Sequence, residues 1–116
     1  MTDEQKKRFA EALDRVAGDC DLLTAMASMV AEDAPGVLND LKEQVADNDM
    51  AAVASTAHKL KGMLSTFETG GPVLELEELI ADARRGNSEQ VSAALDSCAG
   101  DIEKLVGEIT MLEEVA

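Results

Sequence analysis

The chain has 116 residues, 46% of them hydrophobic, and a formal net charge of −14, which suffices for one core and predicts a single domain over residues 1–116. So acidic a surface repels phosphate backbones and anionic lipid, arguing against nucleic acid and membranes as partners. With no Trp, no Tyr and only Phe9 and Phe67 it lacks stacking platforms for single strands, and no apolar stretch approaches the ~20 residues of a membrane span.

Ala, Leu, Met, Glu and Lys dominate, all good helix formers, and alternating strand patterns are missing, so the fold class is all-α. Five helical segments can be placed. The first runs from about Asp3 to Val16, with Phe9, Leu13 and Val16 on one stripe and Gly18 just past its end. The second starts at an N-cap near Asp19 or Asp21 and reaches about Ala46. Pro35 falls inside it and predicts a kink or a short break. The third starts at Asp49 and extends to about Phe67. The fourth follows Gly70-Gly71, with Pro72 in its first turn and Arg84-Arg85 in its last, and stops at Gly86. The last is capped by Asn87 or Ser88 and runs to about Glu114. Gly100 and Gly107 lie within it, each a weakness unless it permits close packing.

Four of these segments are amphipathic and joined by short turns. An antiparallel four-helix bundle buries all four stripes at once, with an additional short N-terminal helix capping or flanking it. A stripe consumed inside one bundle leaves little for a second copy, so we expect a monomer. The polar, acidic start at Met1 is unlike a signal peptide, and Met1 without a linker favours a free-standing protein. Cys20 and Cys98 show no metal or redox spacing. We read them as small core hydrophobes in a reduced, cytoplasmic protein.

His58 is the only histidine. At about 100° per residue, Val53, Thr56, Ala57, Leu60, Met63, Leu64 and Phe67 gather on one side of its helix and His58 lands opposite. Its helical neighbours are Ala51, Ala54, Ser55, Lys61, Gly62 and Ser65, all small except the lysine. The imidazole therefore points to solvent from a clearing that a large partner can enter. Charge singles out the same place. Twelve acids lie up to Asp49 and twelve from Glu68 onward, with none between Met50 and Phe67. That window carries Lys59 and Lys61 instead. Such a clearing fits an anion on or near the ring. Lys61, at i+3, can reach it with a charge-assisted hydrogen bond. Side chains on a helix lean toward its N-terminus, so Gly62 at i+4 leaves the ring uncovered. Lys59, about 100° aside, has a secondary, long-range electrostatic role.

The run His58-Lys59-Leu60-Lys61-Gly62 resembles the His-x-Leu-Lys-Gly motif of histidine-containing phosphotransfer (HPt) domains. Gly18-Asp19, Leu22-Leu23, Glu32-Asp33-Ala34-Pro35, Leu38, Leu41, Asn48-Asp49, Leu79 and Arg84-Arg85-Gly86-Asn87 also follow the order and spacing usual in that family. Two places depart from it: Met63-Leu64 stand where small residues often follow the motif glycine, and Glu68 occupies the place of a later glycine. The resemblance implies a phosphorelay intermediate without kinase activity of its own. Nε2 of His58 would take a phosphoryl group from the aspartate of one response-regulator receiver domain and a second receiver aspartate would remove it. Lys61 would stabilise the phosphate and Gly62 give clearance. The chain would need no cofactor of its own, since the receiver supplies Mg²⁺ and most catalytic groups. Partners would be receiver domains, or a hybrid sensor kinase carrying one, docking on exposed apolar and small residues of this helix and the second.

Rival readings are weaker. The phosphoacceptor domain of a sensor kinase typically follows its histidine with an acid and carries Thr or Asn four positions on, where this chain has Lys59 and Gly62. No glycine-rich phosphate loop is present. A non-catalytic four-helix adaptor, binding receivers or kinases without being phosphorylated, is the main alternative. A metal site fails on ligand count, with one histidine and two distant cysteines.

Overall fold

A computed structural model describes residues 1–114. They form six helices and, among the described residues, no strand: α1 (Asp3–Arg8), α2 (Ala10–Arg15), α3 (Cys20–Ala46), α4 (Met50–Leu64), α5 (Pro72–Arg84) and α6 (Ser88–Glu114). Helices α3 to α6 make the bundle, α3 packing on α4 and α6, and α5 on the same two. Short turns between consecutive neighbours make them antiparallel.

Local chemistry sets most boundaries. The Asp19 carboxylate accepts from Leu22 N at 3.0 Å and that of Asp49 from Ala52 N at 3.2 Å, so each caps a helix start. Asn48 takes a left-handed φ of 59° in the tight turn before Asp49, a conformation that Asn tolerates well. Pro72 opens α5. Three expectations need correction. Of the kink or short break expected at Pro35, the break is absent: helix α3 is continuous there. Pro35 is exposed, so water can satisfy the carbonyl it leaves without a donor. The first helix is not continuous but divides at Phe9, whose φ of −111° and ψ of 32° leave the helical region. Phe9 is driven inward, where its ring meets Phe67 edge-to-face at 5.9 Å and 86°. Helix α4 ends at Leu64, before Phe67. Arg15 Nη1 donates to Thr66 O at 2.7 Å and Glu68 Oε1 accepts from Thr69 N and Gly70 N, turning the chain away.

Lengths explain the role of the N-terminal pair. Helices α3 and α6 have 27 residues each, about 40 Å, matching the 42 Å long axis. Helices α4 and α5 have 15 and 13, about half that length. Helices α1 and α2 flank the end they leave open. Arg8 donates to Glu68 at 3.2 Å and to Glu108 at 3.0 Å, and its guanidinium lies 4.8 Å from the centre of the Phe9 ring. The core is wholly apolar among the described residues. Cys98 is buried in it, Cys20 half-buried, and both thiols are free. Burial, with Glu75 adding to it, pushes the Cys98 thiol up to about 11, so it stays protonated and inert.

Candidate functional site

Helix α4 packs on α3 along one edge and α5 along the other. Val53, Ala57, Leu60 and Leu64 are buried between them, which fixes the rotation of α4. His58, one position after buried Ala57, is therefore turned outward and exposed. Of the residues expected on the buried side, Thr56 and Met63 are only half-buried.

The other predicted site residues divide between two sides. Lys61 lines a shallow depression with His58, and α5 completes it with Glu77, Ile80, Ala81 and Arg84. Lys61 is not free: its Nζ pairs with Glu77 Oε1 at 3.0 Å. The acid-free window of the sequence is thus not an acid-free surface, because the neighbouring helix brings a carboxylate to it. Gly62 and Lys59 face the α3 side. They line a groove with Met26, Met29, Val30, Asp33, Met63, Thr66 and Phe67. Gly62 is exposed, and a Cβ added there meets no heavy atom within 4 Å beyond its own helix and chain neighbours. Close packing is therefore not the reason for this glycine, and open space beside the histidine turn is what it leaves.

Sequence reasoning missed Glu77 and Arg84. Their spacing offers the one signal that could have found them: Glu77, Ala81 and Arg84 stand at i, i+4 and i+7, one stripe of α5. Nothing in the sequence says which helix that stripe faces. Glu68, the departure from the resembling family, has a structural task instead. One oxygen accepts the amides of Thr69 and Gly70, and the other pairs with Arg8. The Gly70 amide above all, helped by Arg8 and Thr69 and outweighing burial, holds this carboxyl below its ordinary value of 4.5.

Chemically, the depression offers an accessible imidazole, a lysine one turn away and an arginine on the next helix. It can present a nucleophilic ring nitrogen and meet an anion there with two cations. Among the described residues no helix is long and apolar enough to cross a membrane. Comparison with curated proteins and with solved structures gives no match. The family model of the Hpt domain matches residues 25–114, from the first turns of α3 to the end of α6, leaving α1 and α2 outside it. Hpt domains serve histidine phosphotransfer in two-component signalling, as phosphocarriers rather than kinases. With well over half of its length matched, and an all-helical bundle carrying one exposed histidine, the chain belongs to the Hpt domain family.

Proposed function

We propose that this protein is a phosphorelay intermediate, taking a phosphoryl group onto His58 from the aspartyl phosphate of one receiver domain and handing it to the aspartate of another. The observation that carries this reading is the placement of the sole histidine: exposed in mid-helix, with Lys61 and Arg84 lining its depression and open space at Gly62. In the forward step the Nε2 lone pair attacks phosphorus. The phosphorus–oxygen bond to the aspartate breaks as the phosphorus–nitrogen bond forms, the carboxylate leaves, and Nδ1 keeps its proton. Such a transfer asks mainly for positioning and charge stabilisation. Mg²⁺ held by the receiver would supply charge neutralisation at the phosphoryl oxygens. On this chain Lys61 donates to them and Gly62 keeps the approach clear, while Lys59, on the groove side, adds a more distant positive charge.

The receiver approaches over the α3–α4 groove, whose methionines adapt to a partner's apolar surface. One chain suffices, since the apolar stripes of α3 to α6 close on one another, and the reading places the protein in the cytoplasm as a monomer. The test is transfer of label from a phosphorylated receiver in Mg²⁺. Wild type should acquire acid-labile, base-stable label, and His58→Gln none while keeping its fold. Equal labelling of His58→Gln would refute the assignment. No labelling of a folded wild type by several receivers would favour the adaptor.

A further inference from the structure

Glu77 is the one acid at the histidine's depression, where every other charged group, Lys61 and Arg84, is a cation. It is also the only ion-pair partner of Lys61 among the described residues. We propose that Glu77 is an exchangeable counterion: it holds the Lys61 ammonium beside His58 while the ring is unmodified and yields it to the phosphoryl group on transfer. This rests on the phosphocarrier reading above.

Three features of the pair point to exchange rather than to a fixed brace. First, it is partly wet, with the lysine side chain 30% exposed and the glutamate 49% exposed. Pairs so open to water are weak and screened. Second, the pair is a single contact at 3.0 Å, and no other ion pair or hydrogen bond among the described residues holds the Glu77 carboxylate. Third, Lys61 springs from the turn after His58, and helical side chains lean back toward the N-terminus. The ammonium can thus swing from Glu77 to a group on the ring while its backbone stays still.

The charges give the direction. With His58 uncharged, the depression holds Lys61, Arg84 and Glu77, a net of about +1. A phosphoryl group adds nearly −2. It then competes with Glu77 for the ammonium and is repelled by the displaced carboxylate. Glu77 therefore disfavours the phosphohistidine and leaves the group easier to pass on. A carrier benefits from this, because a phosphoryl group held too well is not delivered.

The experiment is the equilibrium partition of label between one receiver and this protein, in Mg²⁺, for wild type, Glu77→Gln, Lys61→Met and the double variant. Glu77→Gln should move label toward phosphohistidine by about 2- to 5-fold, the range expected for one exposed charge pair. In the Lys61→Met background the shift should shrink, since the exchange no longer exists. A fixed brace would alter thermal stability and leave the partition alone. Equal partition in wild type and Glu77→Gln, a shift toward the receiver, or a full shift without Lys61 would overturn the exchange while leaving the phosphocarrier reading intact. No label on wild type would overturn that reading and the exchange with it.

Discussion

Two of the molecule's ion-paired regions, the N-terminal end and the histidine face, hold their charges differently. At the N-terminal end Arg8 binds Glu68 and Glu108 at once and lies over the Phe9 ring, while Glu68 also holds two backbone amides. At the histidine face Lys61 pairs, among the described residues, with Glu77 alone. The number of partners separates them. A charge held several times over is a fastener, because breaking one contact frees nothing. A charge held once, half in water, is available to a new ligand. The fastener lies outside the stretch shared with the family, in part, since Arg8 precedes residue 25, whereas the single pair lies within it.

The largest effect should come from the fastened end. Phe9 is 2% exposed, and Phe9→Ala should cost about 3–5 kcal/mol, read from urea unfolding. His58 sits on α4, and Phe9 reaches its surroundings only through Phe67 in the groove wall, so the labelling of the folded fraction should change far less than stability does. A loss of labelling in proportion to the stability change would show that the two regions are coupled. Next is Lys61→Ala, which should slow labelling or shorten the phosphohistidine lifetime by roughly 10- to 100-fold, the scale of one charge-assisted hydrogen bond. Unchanged rates and lifetime would remove Lys61 from the reaction.

Glu68→Gln sharpens the comparison through pH. The folded-state value of this carboxyl is depressed, so its stabilisation is present above the unfolded value near 4.5 and is lost as pH falls through the lower folded value. Wild type should exceed the variant by about 1 kcal/mol at neutral pH. The two should converge in acid, below 4.5. A difference that persists there would mean that shape rather than charge matters at this position. The smallest effects are stabilising. Gly100 and Gly107 are exposed within α6, and an added Cβ meets no heavy atom within 4 Å at either. Changing each to Ala should raise stability by about 0.5–1 kcal/mol and leave both charged regions as they are.

What could be read from the sequence follows the range of the forces involved. The caps at Asp19 and Asp49, Pro72 at the start of α5 and the exposure of His58 are written in a few neighbouring residues, and the structure has them where those residues predict. The break at Phe9 and the end of α4 at Leu64 were not legible. They depend on contacts made across the fold, Phe9 with Phe67, Arg15 with Thr66 and Arg8 with Glu68. The same holds at the candidate site. An acid-free run around His58 is a fact about one helix, and Glu77 and Arg84 come from another. Periodicity places residues on a stripe, but packing decides which neighbour that stripe meets.

The mismatch in helix length has a consequence for hydrogen exchange. Helices α4 and α5 cover only about half of α3 and α6, and the N-terminal pair flanks the remainder. Amides at the start of α3 and the end of α6 should therefore exchange through a local opening that releases α1 and α2, at lower free energy than the global one. Amides of α4 around Leu60 should wait for global unfolding. The histidine would then be mounted on the slowest-exchanging part of the chain, and its surroundings would stay fixed while the far end of the bundle opens and closes.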